Sequence, residues 1–180
     1  ALGEALRGGG AARLTDLDAR CNVERQLGEG ARLGKPEDDE ACRALAAAVL
    51  GRRPSMLRFG GVPLGALRIT PPPRELALAK QSLGLAEGLV LAALLKEGGA
   101  AALVSLRLEG NLLGDEAVAA LCVALREGGA GQLQELALHE NGVGVEGARA
   151  AAALLATSAS LQSLSLRSNN MTVCILRSNP

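Results

Sequence analysis

The hydrophobic positions in the second half of the chain recur in one fixed frame. In its clearest copy, Leu106 and Leu108 alternate with polar residues, and Asn111 follows three positions later. The frame occupies Pro73, Leu76, Leu78 and Gln81; Leu103, Leu106, Leu108 and Asn111; Leu133, Leu136, Leu138 and Asn141; and Leu161, Leu164, Leu166 and Asn169. Its first positions, 73, 103, 133 and 161, are separated by 30, 30 and 28 residues. A fixed period of this length is the signature of stacked repeats.

Each repeat changes its hydrophobic period once. The alternation of Leu106 and Leu108 with polar neighbours has the period of two that a half-buried strand requires. After Gly114 the apolar residues follow a helical period; they are Ala117, Ala120, Leu121, Ala124 and Leu125. Gly128 and Gly129 then favour the end of the helix, because glycine readily adopts the left-handed conformation found there. We therefore predict an α/β fold in which stacked units share one core between parallel strands and helices.

The turn between strand and helix carries a family resemblance. It reads Leu-Gly-Asp-Glu at 113–116, and the helix follows over 117–126. Together with the leucine frame, this order resembles the ribonuclease-inhibitor-like type of leucine-rich repeat, and it is similar to the leucine-rich-repeat domains of algal and protist proteins and of NOD-like receptors. The resemblance implies an α/β solenoid, a horseshoe arc with a parallel inner sheet and outer helices. It covers residues 73–170 closely and residues 14–50 loosely.

The regularity of the pattern divides the chain into three stretches. Residues 1–53 predict one or more irregular repeats with an inserted loop, because 26–34 is rich in glycine and charge. Residues 54–72 predict a helix-poor connection, either an irregular hairpin or a repeat without its helix. Residues 73–180 predict regular repeats that start at about 73, 103, 133 and 161, the last of them incomplete.

The charge, hydropathy and cysteine content of the chain give no reason to expect nucleic acid, a membrane or a metal as its partner. The 180 residues carry 19 basic and 19 acidic side chains, and this formal net charge of +0 gives no general reason to expect nucleic acid or a membrane surface. No apolar run reaches the ~20 residues of a membrane-spanning helix, so we expect no transmembrane segment. The widely spaced cysteines, Cys21, Cys42, Cys122 and Cys174, favour buried thiols over a zinc site or a redox pair.

The start of the chain bears on its location. No charged-then-apolar signal segment is visible there, so an intracellular location is favoured over secretion. The first residue is not Met, which indicates a processed chain or a piece of a longer one.

One glycine motif could indicate a dinucleotide site. Residues 142–147 match Gly-x-Gly-x-x-Gly between a predicted strand and a predicted helix. A dinucleotide site would also have an acidic residue ~20 positions later. No Asp or Glu follows Glu146, so we interpret the motif as an ordinary repeat turn. We expect no catalytic residue, cofactor or metal ligand in this chain.

Polar residues after the predicted strands form a possible contact row. Glu109, His139 and Arg167 stand at equivalent positions, and parallel strands lie ~4.8 Å apart, so the three are expected to be neighbours on the inner face. This row is either a solvated polar surface or a contact with a partner protein. On the inner face only Arg167 and, in the neighbouring row, Arg107 are of a residue type common in interface hot spots, so this face is expected to be a mediocre candidate for tight binding. A single histidine with no nearby Ser or Cys nucleophile makes no catalytic triad.

The outer helical face offers a second candidate. Positions expected to face solvent carry Leu89, Ala92, Ala93, Ala119, Cys122, Val123, Ala152, Ala153 and Ala156. A contiguous apolar patch indicates a contact surface, with Leu89 and Val123 as its larger side chains. The alternative is that alanine serves here as a good helix former that water tolerates.

These features favour a non-catalytic scaffold that binds another protein through a curved repeat module. The first alternative is a structural subunit of a large multisubunit complex, docked through its helical face or its ends. The second is a GTPase activator, because Ran GTPase-activating proteins share this repeat type, although no motif residue of theirs maps onto this chain.

The ends of the repeat array are expected to need a cover. Solenoids carry polar caps at their ends, and neither end of this sequence shows an amphipathic capping helix. Leu164 and Leu166 would lie beside the apolar segment 173–176 with little else to shield them. We therefore expect at least one end, more favourably the C-terminal one, to be covered by further chain or by another subunit.

Overall fold

The computed structural model describes residues 14–18, 36–51, 56–68, 71–128 and 130–171. Its strands are β1 (Asp16–Leu17), β2 (Arg58–Phe59), β3 (Glu75–Ala77), β4 (Ser105–Arg107), β5 (Glu135–Ala137) and β6 (Ser163–Ser165). Its helices are α1 (Pro36–Gly51), α2 (Leu64–Leu67), α3 (Leu85–Leu94), α4 (Gly114–Glu127) and α5 (Val145–Thr157), and a π-helical turn, Leu95–Gly99, directly follows α3. The loop predicted at 26–34, Cys21, Cys174 and the segment 173–176 lie outside the described residues. Within the described ranges, no helix has the length and apolar character needed to cross a membrane.

The recurrent leucine frame forms a parallel sheet. Strands β3, β4, β5 and β6 are neighbours in chain order, and all of their pairings are parallel. At the strand centres Leu76, Leu106, Leu136 and Leu164 lie side by side. The strand register therefore repeats the sequence steps of 30, 30 and 28 residues. The prediction of an α/β fold with parallel strands is confirmed.

The stretch before this sheet is less regular. Strands β1 and β2 form a separate parallel pair, with Asp16 beside Arg58. Directly after β2, Phe59 and Val62 form an antiparallel bridge, and both side chains are fully buried. Helix α2 has only four residues, so α1 packs directly on α3. Of this stretch, the described residues 56–68 and 71–72 contain no helix longer than α2, so they interrupt the alternation of strand and full-length helix.

The core lies between the four-stranded sheet and the helices. Leu106 and Leu108 are fully buried in the same apolar cluster as Leu121 of α4. Helix α3 packs on α4, and α4 packs on α5. The first of these contacts is close: a Cβ atom at Gly88 would lie 2.5 Å from the Cβ of Ala117. Only glycine fits at this crossing.

Asn111 joins the turns of two successive repeats. Its Oδ1 accepts hydrogen bonds from the backbone N–H groups of Gln81 and Leu83, both at 3.0 Å. Its Nδ2 donates to the carbonyl oxygens of Leu78, at 2.9 Å, and Leu108, at 2.7 Å. The side chain is 3% exposed, so these bonds satisfy backbone groups at the point where the strand ladder ends. This asparagine therefore fixes how one repeat stacks on the previous one.

Asn141 and Asn169 occupy the same position in the next two repeats, and only Asn169 makes the same acceptor hydrogen bonds as Asn111. The Oδ1 of Asn169 accepts from the backbone N–H groups of Asn141 and Val143, at 2.9 and 3.0 Å, as Asn111 does one turn earlier. Asn141 keeps the donor half of the pattern, but its buried Oδ1 has no hydrogen-bond partner among the described residues. The turn that it would hold contains Gly114 at a φ of +68°, whereas the equivalent glycines of the neighbouring repeats are extended. A changed turn thus leaves one acceptor unsatisfied.

One position of each of the four regular repeats adopts the left-handed conformation. The residue before the Asn or Gln has a φ of +54° at Lys80, +69° at Gly110, +57° at Glu140 and +54° at Ser168. Only one of the four is glycine. The left-handed region costs a non-glycine residue roughly 1–2 kcal/mol, so three repeats store strain at this point.

We predict that Glu140→Gly raises the free energy of unfolding by about 0.5–1 kcal/mol, because relief of the strain exceeds the added entropy of the unfolded chain. Urea denaturation would measure the change. The matched control is Gln134→Gly, an exposed position outside the left-handed region, where glycine should cost about 0.5 kcal/mol. Equal losses for both variants would contradict the account of the turn.

Candidate partner-binding face

The sheet face opposite the helices carries three rows of side chains across β3, β4, β5 and β6. The rows are Glu75, Ser105, Glu135 and Ser163; Ala77, Arg107, Ala137 and Ser165; and Ala79, Glu109, His139 and Arg167. The third row lies just beyond the strands, where backbone N–H groups bond to the carbonyl oxygens of Glu109, His139 and Arg167 at 2.8, 3.0 and 3.2 Å. These contacts make the three candidate residues neighbours in space, with His139 between the other two. Arg167 is exposed.

Arg107 and Glu109 form an ion pair within one strand end. Arg107 Nη2 lies 2.6 Å and Nε 3.1 Å from Glu109 Oε1. Burial opposes ionisation of this carboxyl, but its own backbone N–H, the Arg107 guanidinium and the nearby His139 outweigh burial and lower the pKa of Glu109. The carboxylate is therefore charged at neutral pH, with most of its surface hidden.

The second oxygen of this carboxylate is unsatisfied. Glu109 Oε2 is buried and has no hydrogen-bond partner among the described residues. The Glu109 side chain is 9% exposed, whereas that of Arg107 is 53% exposed. Arg107 thus lies over a charged acceptor that still lacks a donor, which is an unfavourable arrangement for a buried group.

His139 has a neighbour that was not predicted from the sequence. Ser165 Oγ lies 3.3 Å from His139 Nδ1, within hydrogen-bond distance across β5 and β6. The expectation that no serine lies near this histidine is therefore wrong. The parallel register places Ser165 beside Ala137, one row from the histidine. Glu109 Oε1 bonds to Arg107 and its Oε2 to nothing described, so the histidine–carboxylate hydrogen bond of a triad is not formed.

The row at the start of the strands is acidic. Ser105 Oγ donates to Glu135 Oε2 at 2.8 Å, and Glu75 and Glu135 are both exposed. Glu135 also raises the pKa of Arg107, although less than the hydrogen bond to Glu109 does. Arg107 thus lies between two carboxylates, one on its own strand end and one on the next strand.

The outer helical face is not the continuous apolar patch that the sequence predicted. Ala92 is 5% and Cys122 is 2% exposed, and Leu89 is half-buried against the core. The reason is that α3 and α4 are each flanked by helices on both sides, so positions assigned to solvent lie against a neighbour. Burial raises the pKa of the Cys122 thiol to about 12. Val123, at 39%, is the exposed large side chain that remains on α4.

The last helix exposes both small and large apolar side chains, the large ones being Val145 and Leu155. Ala152, Ala153 and Ala156 are exposed as expected, beside Leu155 at 50% exposure. Their environment differs from that of α3 and α4, because α5 has a helix packed on one side only within the described residues.

The glycine motif at 142–147 is already occupied by a carboxylate of this chain. Asp115 Oδ1 accepts hydrogen bonds from the backbone N–H groups of Gly144, at 2.7 Å, and Gly147, at 2.9 Å. These are the N–H groups at the start of α5 that a phosphate would need. A Cβ atom at Gly147 would lie 2.7 Å from the same oxygen. Glycine is therefore needed at this position to make room for Asp115 of the same chain, without any bound nucleotide. The motif is a turn capped by the preceding repeat.

We predict that Asp115→Ala lowers the free energy of unfolding by about 1–2 kcal/mol, because two N–H groups at a helix start lose their acceptor. Asp115→Asn keeps an oxygen in place and should lose less than half as much. Guanidinium denaturation of the two variants measures the difference. An equal loss in both would contradict the assignment of Asp115 as a hydrogen-bond acceptor.

Comparison of the chain with models of known protein families and with curated proteins finds no match. What the molecule binds therefore has to follow from the chemistry of its own surfaces.

Proposed function

We propose that the chain is a leucine-rich-repeat protein of the ribonuclease-inhibitor-like type, folded as a curved solenoid. Three features support this. The strand register repeats the spacing of the leucine frame, each strand of the larger sheet up to β5 is followed by a helix, and the asparagine after the frame bonds to the previous repeat. Such contacts between successive units are what a repeat array needs, because each unit buries its apolar face only against its neighbours.

The proposed function is non-catalytic binding of another protein through the sheet face opposite the helices. The observation that carries this proposal is the openness of that face. All-parallel sheets are almost always covered on both faces, yet Glu75, Arg107, Glu135 and Arg167 are exposed here. A rigid, open sheet face with charged side chains at fixed spacing is the kind of surface that repeat scaffolds offer to a partner.

A second candidate is a structural subunit that docks through the last repeat. Leu164 and Leu166 of that repeat are half-buried, whereas Leu136, the neighbour of Leu164 on the adjacent strand, is 1% exposed. Leu155 of α5, the last helix of the described residues, is 50% exposed. A subunit that packs against β6 and α5 would complete the burial of these leucines.

Affinity capture with three forms of the protein separates the two candidates. The wild type is compared with His139→Ala/Arg167→Ala on the sheet face and with Val123→Ser/Leu155→Ser on the helices, each as bait in a lysate of the source organism. Scaffold binding predicts a protein that the wild type and the helix variant enrich equally and that the sheet-face variant enriches about tenfold less, the effect of ~1.4 kcal/mol. Selective loss in the helix variant would favour the structural subunit and contradict the scaffold.

A further inference from the structure

Glu109 is the most unusual side chain on the open face. It is a charged carboxylate, nine-tenths buried, with one oxygen paired to Arg107 and the other without a donor among the residues that the structure describes. A buried acceptor of this kind normally has a partner, and charged acceptors are the costliest to leave unsatisfied. Because the unsatisfied atom is negatively charged, the donor that would relieve it best is a cation.

The charges of the side chains around Glu109 also favour a cation as the missing donor. The three rows of the open face carry three carboxylates, Glu75, Glu109 and Glu135, and two guanidinium groups, Arg107 and Arg167, which leaves one surplus negative charge within these rows. The next position along the turns adds Lys80 and Glu140, which balance each other. Arg107 serves two of these carboxylates at once, since it hydrogen-bonds to Glu109 and also interacts with the charge of Glu135. One further cation would give each of these two carboxylates its own partner.

Arg107 is able to move aside. Its side chain is half exposed, and its hydrogen bonds to Glu109 join two groups within two residues of each other on one strand end. Because the Arg107 end of the pair is exposed to water, a guanidinium displaced from Glu109 is hydrated rather than left as an unpaired buried charge. Glu135, exposed on the adjacent strand, is a second place for it.

We propose that Glu109 is the receptor for a basic side chain, Arg or Lys, of the partner protein, and that Arg107 is a cover that this side chain displaces toward Glu135. The inference rests on the proposed binding function of the open face and adds the chemistry of the partner to it. The incoming cation donates to Glu109 Oε2, while Ser105 continues to orient Glu135. His139, at the other side of Glu109, borders the receptor.

The proposal gives Arg107 and Glu109 opposite effects on binding of a basic peptide. The probe is an acetylated tetra-arginine amide, titrated into the isotope-labelled protein at low salt and followed by NMR. Glu109→Gln should weaken binding about tenfold, because a charge-assisted hydrogen bond is lost. Arg107→Ala should strengthen it, by about threefold or more, because the cover and a competing cation are gone. The matched control is Glu146→Gln, an exposed glutamate on α5 that should change nothing.

Several results would overturn the proposal. They are weaker binding by Arg107→Ala, equal effects of Glu109→Gln and Glu146→Gln, or no shifts centred on residues 107–109 at millimolar peptide. If the Glu109→Gln variant is unfolded at the temperature of the NMR titration, the Arg107→Ala variant alone tests the proposal: stronger peptide binding supports it and weaker binding contradicts it. The capture experiment separates this inference from the proposed function. If a partner is captured through the sheet face and its capture is unchanged in Arg107→Ala and Glu109→Gln, the proposed scaffold function is supported and the proposed role of Glu109 is contradicted.

Discussion

The buried amide of Asn111 is the contact on which the stacking of the repeats depends. The turn after each strand leaves the sheet ladder, so its backbone groups have to find other partners in a dry environment. Asn111 supplies them in both directions, since its oxygen accepts from two N–H groups of the preceding turn and its nitrogen donates to two carbonyls. A side chain with both a donor and an acceptor is needed for this, and the amide is the one that fits.

The alignment of side chains on the open face follows from the stacking of the repeats. When the turns are held in one register, the residues before and after the central leucine of each strand form straight rows across the sheet. Glu109, His139 and Arg167 become neighbours although they are far apart in sequence, and Arg107 comes to lie between Glu109 and Glu135. The spacing of the sequence specifies this arrangement of side chains, because a shift of one residue would turn each of these groups toward the core.

The strands and the core of the fold could be predicted from the sequence, because the spacing of apolar residues shows which side of a strand is buried. The leucine frame predicted the parallel strands, and residues 142–147 were interpreted as a turn, where the structure has Gly144 N–H bonded to Asp115 at the start of α5. The helical face could not be predicted in the same way. Periodicity assigns one buried stripe to a helix, but α3 and α4 contact helices on both flanks, which buries Ala92 and Cys122 as well.

The side-chain details of the candidate site lay further out of reach. The contact between Ser165 and His139 joins two neighbouring rows on adjacent strands, and it depends on the rotamers of both side chains. The unsatisfied oxygen of Glu109 depends on where Arg107 lies, and that of Asn141 on the conformation of Gly114. None of these is encoded in a pattern of apolar and polar positions.

Hydrogen exchange at individual amides tests most directly whether the asparagines hold the repeats together. In Asn111→Ala the amides of Gln81 and Leu83 should lose protection, while those of Asn141 and Val143, held by Asn169, keep it. Asn169→Ala should give the reverse. Unchanged protection at Gln81 and Leu83, or a uniform loss in both turns for either variant, would contradict the account.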